Sequence, residues 1–440
     1  MPDTVGLEHT KPTSLQAIAD KARINRAHRF GNLYGELNEA LMRDSWRHLN
    51  KRAASGVDRV TARDYEKDFA HNINTVVNKL KHKRYRAKLV KRHYIPKSNG
   101  KQRPLGLPAL EDKLVQTAAG QLLEAIFEQD FLPNSFGCRP GVGAKDAVRT
   151  LTFNLQYSGY GYIVEADIKG FFYHLDHDWL KRMLRERIAD ESFIALIDKW
   201  LKAGVLEPSG EVVQPEAGSP QGGVISPVLA NIYLHYALDL WFEKIVKRHC
   251  RGKAMFMRYC DDFVCAFQYR SDAHAFYRAL PKRLAKFNLE VAPEKTQILR
   301  FSRFNPGLKR RFSFLGFEFY WGIDRSGKPR LSKRTDRQRM RAAITVFTEW
   351  VKCHRHLKPV LLMAAVRAKP TGHYNYYGLP GNYRSIKVFY DEAIKNLFKW
   401  LKRRSRKDRI NGYRFYAWLA YFRVPTPKLA ASSNVRSVML

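Results

Sequence analysis

The sequence has no apolar run of about 18 residues, which predicts no membrane span, and its first residues, from Met1-Pro2-Asp3-Thr4 onward, have no apolar stretch behind basic ones, which predicts no export signal. Cysteine is scarce. The five residues Cys138, Cys250, Cys260, Cys265 and Cys353 lack paired CxxC spacings, which excludes a disulfide scaffold or a zinc module and fits a reducing cytosol. Cys353, His354 and His356 are too tightly spaced to close a tetrahedron without a fourth ligand. There is no internal repeat and no low-complexity segment. Acidic residues are few, 41 Asp and Glu against 78 Lys and Arg, and the net charge of +37 predicts a polyanionic partner. An aromatic share of 13% excludes a disordered basic tail, because such tails are poor in Phe, Tyr and Trp. A chain that is folded, basic and aromatic points to nucleic acid, and 440 residues fit two to four domains at about 150 residues each.

The last 140 residues hold 31 Lys and Arg against 7 Asp and Glu, which marks a separate C-terminal module. Upstream, Tyr85 to Leu107 reads as two extended segments around Lys97-Ser98-Asn99-Gly100, a hairpin with a basic tip. Leu110 to Phe131 has the apolar spacing of an amphipathic helix, and Ile225 to Phe242 reads as an apolar helix entered from Gly218-Ser219-Pro220-Gln221-Gly222-Gly223. Tyr162 to Ile168 is a strand ending at Asp167. Phe256–Tyr259 and Phe263–Phe267 are strands joined by a reversal over Cys260-Asp261-Asp262. Strands mixed with helices in this order predict an α+β fold rather than a doubly wound parallel sheet.

Asp167 and the doublet Asp261-Asp262 therefore stand at strand ends that one sheet can bring together. Clustered carboxylates repel and protonate unless a cation neutralises them, so the set suits divalent ions with oxygen ligands, Mg²⁺ above all. Two such ions about 4 Å apart serve in-line phosphoryl transfer.

Arg258-Tyr259-Cys260-Asp261-Asp262-Phe263 resembles the YxDD signature of reverse transcriptases, specifically those of group II intron proteins. Five more blocks resemble that family in its order: Ser55–Asp58, Ile95-Pro96-Lys97 through Arg103–Gly106, Ser135–Pro140, Glu165–Phe172 and Gly218–Pro227. The resemblance covers roughly residues 30 to 428 and implies a right-hand polymerase. In this reading residues 1–30 are an N-terminal extension, 31–160 the fingers with N-terminal RNA-binding motifs, and 161–325 the palm. Residues 326–428 are the α-helical thumb, or maturase X domain, and 429–440 a tail.

The implied catalytic residues are Asp167, Asp261 and Asp262. Asp167, Asp261 and the backbone carbonyl of Ile168 would be ligands of two Mg²⁺ ions, and Asp262 a supporting carboxylate. Lys97, Arg103, Phe172, Gln221 and Lys295 would bind the nucleotide, with Phe172 crowding the 2′-hydroxyl so that deoxynucleotides are favoured. Phe314-Leu315-Gly316-Phe317 resembles the primer-grip hairpin, its aromatics holding the primer end.

The C-terminal module combines helical apolar spacing from Ile386 to Leu401, the basic run Lys402-Arg403-Arg404-Ser405-Arg406-Lys407 and 14 aromatic residues between Tyr374 and Phe422. It resembles the maturase thumb, which implies RNA binding by Tyr374, Tyr376, Tyr377, Lys402, Arg403, Arg404 and Arg406. The reading as a whole is an RNA-directed DNA polymerase, a nucleotidyltransferase of a compact retroelement lacking the HNH endonuclease. Its expected partners are group II intron RNA, an RNA template with DNA primer, and dNTPs, without a membrane, in the bacterial cytoplasm beside the nucleoid. Departures from the family pattern are Cys260 for Ala, Tyr173-His174 for Asp-Asn, and Arg59 for Gly. The alternatives are a relative recruited to host repair or phage defence, and an RNA-binding maturase that only assists splicing.

Overall fold

The computed structural model describes residues 13–96, 100, 102–218, 222–307, 309–404 and 410–429. Its strands are β1 (Val90–Pro96), β2 (Gln102–Leu107), β3 (Tyr162–Asp167), β4 (Val205–Leu206), β5 (Val212–Val213), β6 (Ala254–Tyr259), β7 (Asp262–Phe267), β8 (Gln297–Arg300), β9 (Arg311–Phe314), β10 (Phe317–Ile323) and β11 (Pro329–Thr335). They form three sheets in the orders β2-β1-β4-β5, β6-β7-β3-β8 and β11-β10-β9. Among the described strands only β1 and β4 pair in parallel, so the mixed α+β architecture expected from the sequence holds.

The β1–β2 hairpin runs from Lys91 opposite Leu107 to Pro96 opposite Gln102, and most of its tip, residues 97–99 and 101, lies outside the described residues. The following helix, Leu110–Phe127, is shorter than the expected Leu110 to Phe131 and buried nearly all round rather than amphipathic. Leu114, Ala118 and Leu122 fill one side while Val115, Ala119, Leu123 and Ile126 fill the other, which makes it the axis of the main core. Helix Thr13–Ile24 packs on it through buried Leu15, Ala19 and Ala22. Buried Arg187 donates to the Ala22 and Arg26 carbonyls and pairs with Asp130 at 2.7 Å. Residues 13–30 thus pack into the main core.

The sheet β6-β7-β3-β8 is covered on both sides, and its side chains sort by the two-residue period of a strand. Val164, Ala166, Phe263, Cys265 and Phe267 enter the main core, while Ile163, Met257, Val264 and Ala266 enter a second core with helix Ala144–Tyr157. The helix expected over Ile225 to Phe242 begins as Ser226–Leu234 and passes through two wide π-type turns, His235–Asp239 and Phe242–Val246, before ending at His249. Such turns often accompany functional sites.

The third sheet continues to Thr335, so a palm boundary at 325 falls between the paired strands β10 and β11. Helices Arg337–His354, Pro359–Tyr377, Tyr383–Lys402 and Gly412–Tyr421 follow with a core of their own that includes Phe347, Leu362, Val366, Phe389, Leu397 and Phe415. Among the described residues no helix is long and apolar enough to cross a membrane.

Candidate active site

The reversal between β6 and β7 is tighter than its sequence implies. Tyr259 pairs with Asp262, so the turn is the two residues Cys260 and Asp261, with Cys260 at φ +54°. Asp262 is the first residue of β7 and lies between Tyr259 and, on the other side, Asp167 at the end of β3. One pairing register thus joins carboxylates 95 positions apart in the chain, with Asp261 at the adjoining tip.

The electrostatics reflect this crowding. Burial, with Asp167 and Asp261 adding, pushes the Asp262 carboxyl up to about 7, and Arg339 opposes the rise. Burial and then Asp167 raise Asp261, against Arg103 and Lys295. Lys295 ion-pairs with Asp167, a contact that raises the ammonium's own pKa. A divalent cation relieves the same crowding, so the donor set fits Mg²⁺. The Ile168–Val291 bridge uses the Lys169 N–H and the Asp167 carbonyl, which leaves the Ile168 carbonyl outside it. Among the described residues no three His, Cys, Asp or Glu side chains close on one point.

Around the carboxylates, Phe172 follows Gly170, whose φ of +56° turns the chain into the short helix Phe171–Tyr173. Phe171 is buried, and Phe172 is half-buried with its ring edge-on to Phe171 at 5.4 Å. Arg103 stands on β2 opposite Ile95 and acts electrostatically on Asp261. Gly222 has φ +113°, and a Cβ there would lie 2.5 Å from the Gly106 carbonyl of β2, so the loop meets the fingers hairpin backbone to backbone. Lys97 and Gln221 lie outside the described residues.

A model of the family described as reverse transcriptase (RNA-dependent DNA polymerase) matches residues 95–319, which include the second strand of the β1–β2 hairpin and Asp167, Asp261 and Asp262. This chain belongs to the reverse transcriptase family. Protein YkfC of Escherichia coli K12 is 35% identical over 237 residues, 48% of this chain and 62% of that protein. Group II intron-encoded protein LtrA of Lactococcus lactis is 42% identical over 164 residues, 37% of this chain and 27% of that protein. Nuclear intron maturase 4, mitochondrial, of Arabidopsis thaliana is 32% identical over 148 residues, 33% of this chain and 18% of that protein. The matched segments span less than two thirds of each of these relatives.

In this chain the hairpin tip rests on polar residues that sequence reasoning missed. Arg258, fully buried, donates from Nε and Nη2 to the two Asp239 oxygens at 2.8 and 2.6 Å. Its Nη1 donates to Asn231 Oδ1 at 2.9 Å and to the Cys260 carbonyl at 3.0 Å. Asn231 Nδ2 donates in turn to the Gly137 carbonyl at 2.7 Å. Asp239 lies in the first wide helical turn, which is how a residue 19 positions from Arg258 reaches it. An arginine inside an apolar strand was the available signal, since a buried charge requires a partner.

The expected primer grip takes a different form. Leu315 and Gly316 make the β9–β10 turn at φ +50° and +77°, while the Phe314 and Phe317 rings are buried in the second core and cannot themselves hold a primer end. Tyr376 Oη donates to the Leu315 carbonyl at 3.1 Å, its ring stacks on Phe317, and Tyr377 lies over Gly316. Glu165 of β3 accepts from the Ser313 amide at 2.9 Å, which ties this hairpin to the catalytic strand.

Of the tyrosines expected to bind RNA, Tyr374 is buried in the core of the C-terminal helices, Tyr377 is half-buried against the turn, and Tyr376 is exposed although its ring stacks on Phe317. Aromatic rings fill cores as readily as they stack on bases, and at Tyr374 the ring is in the core. Lys402 and Arg403 are exposed, over the Phe398 ring at 5.1 Å and the Trp400 ring at 5.2 Å, and Arg404 is half-buried. Arg406 lies outside the described residues.

Proposed function

We propose that this chain extends a DNA primer along an RNA template and, through its basic thumb, binds group II intron RNA to assist splicing and retrohoming. The observation that carries the polymerase reading is the Asp167–Asp262 strand pairing with Asp261 at the adjoining tip. Asp167, Asp261 and the Ile168 carbonyl would hold Mg²⁺, which supplies activation of the primer hydroxyl and stabilisation of charge on the leaving oxygens. Asp262 holds negative potential behind the pair. Lys295 is placed to meet a phosphate when an ion takes its place at Asp167, and Arg103 with Lys97 would grip the triphosphate from the fingers. Phe172 beside Gly170 would crowd a 2′-hydroxyl and select deoxynucleotides. We assign the activity to the bacterial cytoplasm; the relatives in Escherichia coli and Lactococcus lactis support that source.

The net charge of +37 and the names of the intron-encoded relatives support the RNA partner. The test offers purified chain an RNA template with a DNA primer, Mg²⁺ and either dNTPs or NTPs, and separately a group II precursor RNA. Extension with dNTPs only, together with accelerated splicing, is expected. Extension without any effect on intron RNA would favour the relative recruited to host repair or defence, and splicing without extension the RNA-binding maturase.

A further inference from the structure

We propose that Cys138 and Cys260 form a reversible disulfide that fastens the catalytic hairpin to the loop behind the fingers and slows extension. The two residues lie 122 positions apart in the chain, yet their sulfurs are 2.9 Å apart with both thiols free. Cys138 is exposed and Cys260 half-buried, so a reagent reaches the first and the second lies behind it. Of the other thiols, Cys265 is buried in the palm and Cys353 is exposed on the thumb.

The juxtaposition is built by the backbone. Gly137 packs so closely on the hairpin that a Cβ there would stand 2.2 Å from the Cys260 nitrogen. Asn231 Nδ2 donates to the Gly137 and Cys138 carbonyls at 2.7 and 3.3 Å, and Asn231 Oδ1 accepts from Arg258, which also holds the Cys260 carbonyl. Both cysteines adopt the left-handed region, at φ +55° and +54°, so each side chain is aimed by its turn.

The step is exchange with a small-molecule disulfide such as oxidised glutathione. The Cys138 thiolate attacks one reagent sulfur and releases the first thiol. Cys260 then attacks the Cys138 sulfur and releases the second. The cysteine pair loses two electrons and two protons, and the reagent takes up both as two thiols. A disulfide bond is about 2.05 Å long, so the sulfurs must close by about 0.9 Å. Both carbonyls are held, that of Cys138 by Asn231 and that of Cys260 by Arg258, so the movement is shared and part of it falls on the tip, where Asp261 is the next residue. Displacing a reacting group by about 1 Å can cost about 10²-fold, and a loss of roughly tenfold in extension rate is expected here.

The test treats the full chain with oxidised glutathione and reads free thiols, intact mass, linked peptides and primer extension. Two of the five thiols should disappear, the mass should fall by two hydrogens, and the Cys138 and Cys260 peptides should be joined. Extension should fall and return with dithiothreitol. Cys138→Ser should extend normally when reduced and form no such cross-link. A stable glutathione adduct at Cys138, a cross-link between other cysteines, or a Cys138–Cys260 bond that leaves extension unchanged would overturn the proposal. The thiol and mass readouts do not depend on the polymerase reading, so a chain that forms the bond but never extends a primer when reduced would count against that reading instead.

Discussion

Two hairpin tips, Cys260–Asp261 between β6 and β7 and Leu315–Gly316 between β9 and β10, share a two-residue turn with a non-glycine residue at positive φ, yet different forces hold them. The first rests on a buried ion pair and amide contacts, Arg258 to Asp239, Asn231 and the Cys260 carbonyl. Aromatic rings from the thumb cover the second, with one tyrosine hydroxyl on its backbone. Charge-assisted hydrogen bonds fix direction as well as distance, which suits a tip that must present a carboxylate. Ring packing fixes distance but tolerates rotation, which suits a seat between the β9–β10 turn and the C-terminal helices.

The largest effect expected from this contrast is Arg258→Ala, which strands Asp239 as an unpaired buried charge and should cost about 3–5 kcal/mol in urea unfolding. Arg258→Lys keeps the charge but loses the paired geometry. It should lower kcat with little change in KM, and an equal loss in both would mean that the arginine only supports the fold.

Next is the pH response of metal-free protein. The folded Asp262 carboxyl sits near 7, above its value in an unfolded chain, so the folded state binds that proton more tightly. Its stabilising contribution is full below about pH 4 and is lost as pH rises through about 7. Thermal unfolding should show that decline, Mg²⁺ should offset it at high pH, and Asp262→Asn should flatten it.

At the thumb-facing turn the effects are smaller. Gly316→Ala places a Cβ 2.8 Å from Tyr377 Oη at φ +77°, an arrangement expected to cost about 1–2 kcal/mol and to shorten extension products more than it slows each addition. Tyr376→Phe removes one hydrogen bond, about 0.5–1.5 kcal/mol, and should act the same way more weakly. If either change lowered the rate of addition as much as Arg258→Lys does, the two tips would not differ in the manner described.

Much of the catalytic framework was legible because local signals and chemistry agreed. The hairpin expected over Tyr85 to Leu107, the apolar strands and the acidic doublet each carry a short-range pattern, and the paired strands β1–β2, β3 and β6–β7 agree with it, while Asn99 lies outside the described residues. What escaped depended on distance or on ambiguous composition. The turn at Cys260 gives no glycine signal, so Asp262 read as loop although it belongs to β7. Asp239 is tied to Arg258 only by a wide helical turn that no pattern announces. Tyr374, Tyr376 and Tyr377 sit in a basic, aromatic stretch whose composition suits a nucleic-acid surface and a helical core equally. The extension of the third sheet to Thr335 escaped because β11 is too polar to read as a strand, its Lys333 and Arg334 included.

The most direct test of the central claim, that the crossing of β3 with the β6–β7 tip makes the polymerase centre, is single-turnover extension of a DNA primer on RNA with Mg²⁺ and dNTPs, wild type against Asp261→Ala, with primer-template affinity measured on both. The expected result is a rate lowered by about 10²-fold or more with affinity unchanged, as for loss of a group that acts on the transition state. Equal rates in the two proteins, or no extension by the wild type, would contradict it.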